Sequence, residues 1–266
     1  MLFIKKISVL CVLFSCLLVL HSCEKETAGT TTTSTTSSTG NTVIEEGLTF
    51  TSPGTLTVTF NHQFKEKALQ LAPTSYVTNA NDTVRFTEIR YYITNVELTT
   101  KAGTKVNLGN ANLIDFLPPN TSSFSINNIP VGNYTSLSYL IGVDSIRNSG
   151  GVQEGDLDPS NGMFWTWNTG YVFLRCKGRF GIAESAFSLD IGGTRNLMVS
   201  NHSLIPFKKS GTSATINFNM DIANMFNAPN SYSLITDPAD IHTAGSSAIA
   251  KLKPNIINTF SIKDIQ

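Results

Sequence analysis

The chain has 266 residues, 41% hydrophobic and only 14% charged, with 19 basic side chains against 19 acidic ones. That length suits one domain of roughly 200–250 residues with additions, or two smaller ones, and the balanced charge excludes the basic surplus by which a nucleic-acid binder displaces phosphate counterions. No Walker-type loop, GxGxxG or HExxH occurs, so the common nucleotide-site and zinc-protease signatures are absent; low charge with abundant Thr, Ser and Asn is the composition of an all-β extracytoplasmic protein.

Lys5 and Lys6 precede an apolar run from Ile7 to Leu20. The run is shorter than the roughly 20 residues of a spanning helix and fits the core of a secretory signal peptide. It ends in Leu20-His21-Ser22-Cys23, a lipobox pattern that predicts cleavage before Cys23 and acylation of its thiol. Residues 1–22 are thus expected to be removed, and Cys23 to anchor the protein in the cell envelope as an outer-membrane lipoprotein, without spanning the bilayer. Glu24, Lys25 and Glu26 resemble the export signal of Bacteroidetes surface lipoproteins. Thr27 to Thr42 is almost entirely Thr, Ser and Gly, with nothing to bury, which predicts a solvated tether over residues 23–46.

Cleavage deletes two lysines and no acids, so the mature charge is (19 − 2) − 19 = −2. Of the cysteines, Cys11 and Cys16 leave with the signal and Cys23 carries lipid; Cys176 alone remains, so no intrachain disulfide forms and stability rests on a core. Its alternation with Val172 and Leu174 predicts a buried structural thiol.

From residue 47 onward, alternation with a period of two predicts strands at Leu56–Phe60, Ile89–Ile93, Phe124–Ile126, Leu137–Val143 and Ile216–Met220. Turn signals stand at Lys101–Thr104, Pro130–Asn133 and Lys209–Thr212. Asp221–Phe226 reads as a short helix with Ile222, Met225 and Phe226 on one side. Many short strands separated by turns, with one or two short helices and no repeat, predict an antiparallel β-sandwich over residues 47–266.

Both tryptophans lie in the segment Gly155–Tyr171, and on a strand Met163, Trp165 and Trp167 would share one face. Spacing alone favours a core face. The run LDPSNGMFWTWNTGYVFLRCKGRF from Leu157, with YYITNVEL from Tyr91 and VGNYTSLSYLIGVDSIRN from Val131, resembles the MbnP-like copper-binding family. The similarity extends from about Leu56 to Ile262, and M-x-W-x-W-x-x-G-Y is its most specific part.

The resemblance implies a β-rich domain that binds copper outside the cytoplasm, using histidine and a tryptophan oxidised to kynurenine by a partner dihaem enzyme. An intact indole N–H offers no lone pair, whereas kynurenine adds an amine and a carbonyl. Trp165 is the expected site of that change, with Trp167 second, and His62 the expected nitrogen ligand. Many members carry HxGG downstream, where this chain has Asp190-Ile191-Gly192-Gly193. Asp190 would replace nitrogen by a hard oxygen, a poorer donor for Cu(I). His202 and His242 complete the histidines of the mature domain.

Asp156, Asp158, Ser160 and Asn161 resemble the start of a calcium loop but lack its glycine and closing glutamate, which favours a turn with acidic caps. No paired carboxylate motif and no GxSxG elbow appear, so no enzyme is predicted. Together these features predict a lipid-anchored protein that binds copper for uptake, storage or delivery. The alternative is a surface binding or adhesion module of the same fold without the metal.

Overall fold

Alternation becomes strand along most of the folded chain. The protein is described by a computed structural model covering residues 45–165 and 170–266; the signal segment, Cys23, the Thr/Ser tether up to residue 44 and Trp167 lie outside the described residues. In chain order the elements are β1 (Gly47–Phe64), β2 (Lys67–Ala68), β3 (Tyr76–Val77), β4 (Thr83–Thr100), β5 (Lys105–Asn107), β6 (Ala111–Asp115), β7 (Ser123–Ile129) and β8 (Gly132–Ile141). After α1 (Ser145–Ser149) come β9 (Phe164–Trp165), β10 (Gly170–Phe180), β11 (Ser185–Gly192), β12 (Met198–Ser203), β13 (Lys208–Asp221) and β14 (Asp240–Ile241). The chain closes with α2 (Ala248–Ile257) and β15 (Phe260–Ile265).

The strands run in the order β14-β11-β10-β4-β8-β1-β13-β15, with β12 on β8, β7 on β1 and β6 on β4. Strands β1 and β4 each exchange partners along their length. β1 meets β8 through Leu48–Phe50 and β7 through Gly54–Thr59, and β4 meets β10 at its start and β8 at its end. The sheet thereby folds over itself. Tyr91 of β4 packs its ring 5.5 Å from that of Phe260 on β15, four places away in the strand order, and Phe60 lies within 5.5–6.3 Å of Tyr91, Tyr139, Phe218 and Phe260. These rings fill the sandwich interior, each fully buried side chain contributing roughly 1.5–3 kcal/mol of transfer free energy.

The fold is all-β and sandwich-like, with two refinements. The long β1–β13 pairing and the short β11–β14 pairing are parallel, so the sheet is mixed; period-two alternation reports a buried face and carries no information on strand direction. Lys209–Thr212, expected as a turn, lies inside β13, where Gly211 stands at a register irregularity opposite Phe50. The Gly and Ser residues mark a bulge in place of a reversal.

Beneath the outer face of β4, β10 and β11 lies a second, smaller cluster of Tyr92, Leu157, Met163, Trp165, Tyr171 and Phe173. Adjacent residues on a strand point to opposite faces, so Tyr91 belongs to the main core and Tyr92 to this one. Strand β4 is the wall between them.

The expected short helix is a 3-10 turn, Ile222–Phe226, capped by Asp221, whose carboxylate accepts from Ala223 N. Ile222, Met225 and Phe226 are buried. Among the described residues no helix is long and apolar enough to cross a membrane.

Candidate functional site

His62 stands near the end of β1, in the buried phase of its alternation with Val58, Phe60 and Phe64. Its ring is 6% exposed and lies against Phe116, centroid to centroid 4.5 Å, while Nε2 is 3.1 Å from the Tyr91 hydroxyl. Nδ1 is buried and has no hydrogen-bond partner. The ring borders a cavity of about 1020 Å³ whose wall includes Phe116, Asn219, Asp221, Asn224 and Asn258. Burial lowers the imidazole pKa from 6.5 to about 4, which leaves the ring neutral at pH 7. A neutral imidazole in a fixed orientation, with one nitrogen unsatisfied, is the chemistry a metal ion or a single hydrogen-bonding ligand exploits.

The parallel register pairs His62 with Met220 of β13, a fully buried residue on the same side of the sheet. Met220 does not stand out as a site residue in the sequence, because its partner lies more than 150 positions away. Alternation places both residues on inward faces, and only the pairing of β1 with β13 makes them neighbours. Imidazole and thioether together form a set suited to Cu(I).

Trp165 ends β9 and is 1% exposed, within the second cluster. Its six-membered ring rests on Gly192, where an added Cβ would lie 2.8 Å from the ring and 2.5 Å from the Tyr171 carbonyl oxygen. Gly193 beside it adopts a φ of 85°. The glycine pair is therefore required by close approach at the first position and by backbone conformation at the second. The surrounding strap is well tied. Tyr92 Oη donates to Asp156 O at 2.9 Å, Tyr171 Oη to Leu157 O at 2.8 Å, and Leu113 N to the Asp156 carboxylate at 2.8 Å. The Asp158 carboxylate accepts from Ser160 N at 2.7 Å, so the calcium-like segment is a capped turn.

Asp190 faces the same side as Trp165, and both of its oxygens are engaged by Arg175, Nε at 2.9 Å and Nη2 at 2.8 Å. The pair forms one end of an in-register row, Asp190 (β11), Arg175 (β10), Arg90 (β4) and Asp115 (β6), with Glu88 3.5 Å from Arg175 and 3.7 Å from Arg90. Arg175 also donates to Gly162 O at 2.9 Å, which ties the row to the turn leading into Met163 and Trp165.

The structure thus does not gather His62, Trp165 and Asp190 around one point. His62 lies on the main-core side of β4, and Trp165 and Asp190 on the other. Among the described residues no three His, Cys, Asp or Glu side chains stand close enough to hold a metal between them. His202 is engaged through Nε2 with Ser200 Oγ at 2.8 Å and Tyr139 Oη at 3.2 Å, and exposed His242 with Asp240 at 3.1 Å. Cys176 is fully buried, and its thiol pKa is pushed upward by that burial, an unreactive setting.

A folded-over mixed sheet with two helices at its margins defines an all-β, sandwich-like domain. The family profile MbnP matches residues 53–243, and the chain belongs to that family. Among solved structures, MbnP from Methylosinus trichosporium is similar with a TM-score of 0.53 at 15% identity, over 79% of this chain and 98% of that one; at that identity the likeness concerns the fold. No curated protein matches the sequence.

Proposed function

We propose that the chain is a lipid-anchored cell-envelope protein that binds copper, without catalysis, for uptake, storage or delivery. One observation carries the site: the buried Nδ1 of His62, neutral and without a partner at the edge of a large cavity. What supports the reading is that the His62 imidazole and the Met220 thioether, both soft donor types, stand opposite each other in the register of neighbouring strands. In this reading His62 holds the ion and Met220 is the second donor. Bound copper would supply redox and ligand-exchange chemistry; the chain's own contribution is to exclude water on the core side and to keep the ring oriented.

Asp190 then serves as the counter-ion of Arg175. Trp165 remains the expected position of oxidation to kynurenine by a dihaem partner, with its consequence falling in the second cluster. The separation of Trp165 from His62 by β4 favours one rival, a binding or adhesion module of the same fold that lacks the metal.

Protein purified from its native envelope decides between them by elemental analysis together with peptide mass spectrometry across Gly162–Arg175. Copper near one equivalent supports the proposal, and an oxidised Trp165 adds the partner enzyme. Metal-free protein with no uptake on titration leaves the adhesion module standing.

A further inference from the structure

The outer face of β1 and β13 is a ladder of polar side chains that runs into the large cavity. In parallel register its rungs are Thr55–Ser213, Thr57–Thr215, Thr59–Asn217, Asn61–Asn219 and Gln63–Asp221, and only the last bears a charge. These residues alternate with the core residues Leu56, Val58 and Phe60 on β1 and Ala214, Ile216 and Phe218 on β13, which puts them on the outward side. The first three rungs are engaged with neighbouring strands. Thr55 Oγ1 donates to Asn127 Oδ1 at 3.0 Å, the Thr57 and Ser125 hydroxyls are 2.9 Å apart, and Asn217 Nδ2 donates to Asp264 Oδ1 at 2.6 Å. At the cavity that engagement stops. Gln63 and Asn219 are half-buried in its wall, and neither side chain has a hydrogen-bond partner among the described residues. Asn61 donates through Nδ2 to Phe218 O at 3.0 Å, which leaves its side-chain oxygen open.

A side-chain amide carries donors and an acceptor in one plane, the arrangement that matches the neighbouring hydroxyls of a sugar ring. Phe116 adds an apolar wall for the C–H face of such a ring. Charge argues against other ligands. Lys263 is the one lysine or arginine among the residues of this wall, against Glu66 and Asp221, whereas a phosphate or carboxylate ligand calls for cationic forks or clusters. Asp221 is itself occupied, its Oδ1 accepting from Lys65 N at 2.9 Å and Ala223 N at 3.0 Å. An extended peptide would need a free strand edge, and here β1 and β13 are already paired with each other. The volume of about 1020 Å³ stands at the top of the range for small-molecule sites.

We propose that this cavity binds the end of an uncharged oligosaccharide, with Gln63, Asn61 and Asn219 hydrogen-bonding its hydroxyls and Phe116 supporting the ring. The site goes beyond the copper reading, because it uses no metal and neither nitrogen of His62.

The test is calorimetric titration of the full chain, in chelator-treated buffer, with hexasaccharides of β-1,4-glucose, α-1,4-glucose, mannose and xylose, and with hexagalacturonate as the acidic probe. Gln63→Ala, Asn219→Ala and the double variant are titrated alongside, each with a thermal melt. At least one neutral hexasaccharide should bind saturably, and more tightly than hexagalacturonate. Each single variant should weaken it by about 2–10-fold, and the double variant further, at unchanged melting temperature, since neither amide has an internal partner. No binding of any neutral probe, tighter binding of hexagalacturonate, or wild-type affinity in both single variants would overturn the proposal. If the double variant does not fold, the single variants decide. A separate copper titration of the same preparation keeps the two readings apart, for either can fail while the other stands.

Discussion

At the scale of single residues, the chain separates groups held by packing from groups held by charge. Gly192 is of the first kind: with the Trp165 ring and the Tyr171 carbonyl both inside the volume of a methyl group, Gly192→Ala should cost about 1–3 kcal/mol through overpacking, read as a lower urea midpoint. Asp190 is of the second. Its side chain and that of Arg175 are only 7% and 13% exposed, and removing one partner of such a pair leaves a buried charge unmatched. Asp190→Ala should lose about 3 kcal/mol, with Glu88 keeping the loss at the lower end. If Asp190 is a clamp and no ligand, the same variant binds copper as wild type does. Loss of binding at retained stability would restore it to the donor set.

His202 shows the effect of burial on titration. Desolvation lowers its pKa from 6.5 to about 4, so between those values the unfolded chain binds more protons than the folded one. Stability from this residue is complete above pH 6.5 and is lost progressively as pH falls toward 4. His62, lowered to the same value by burial, adds to the slope. Melting temperatures should therefore decline from about pH 7 to about pH 4.5, and less steeply in His202→Gln; equal slopes in the two proteins would contradict this assignment.

Among elements, strands announce themselves locally and their pairings do not. Leu56–Phe60 and Ile216–Met220 are legible because one face of each is buried, and burial imposes a period of two. The parallel partnership of β1 with β13 is not legible, since nothing in either segment encodes its direction or its distant partner. Lys209–Thr212 misleads because Gly and Ser serve bulges as well as turns. Helix α2 escapes notice because it is short, is interrupted by Pro254 and buries a polar residue, Asn255. That asparagine is an organising contact. Its side-chain nitrogen donates to Met225 O at 3.0 Å and Asn230 O at 2.7 Å, and its oxygen accepts from Asn230 N at 2.9 Å. Asn255→Leu would strand three backbone groups, and a destabilisation of about 2–4 kcal/mol is expected from the unmatched polar atoms, measurable by chemical denaturation.

For the whole molecule, the sandwich is legible from alternation and the family from the tryptophan segment, but the site is legible only in part. His62 is identifiable by its place at the end of the first strand. Its orphaned nitrogen, its tyrosine partner and the proximity of Met220 depend on how β1, β4 and β13 come together. Trp165 stands out in the sequence because it belongs to the tryptophan motif, and Asp190 because it departs from the HxGG pattern. The structure gives each a packing or ionic role on the far side of β4, so prominence in a motif and membership of one donor set are separate matters here.

Copper binding at His62 is tested most directly by an anaerobic Cu(I) competition titration of the wild-type chain beside His62→Ala and Asp190→Ala. One equivalent should bind to wild type and to Asp190→Ala, with binding lost in a folded His62→Ala. Equal affinity in all three proteins, or binding lost only with Asp190, would contradict the assignment.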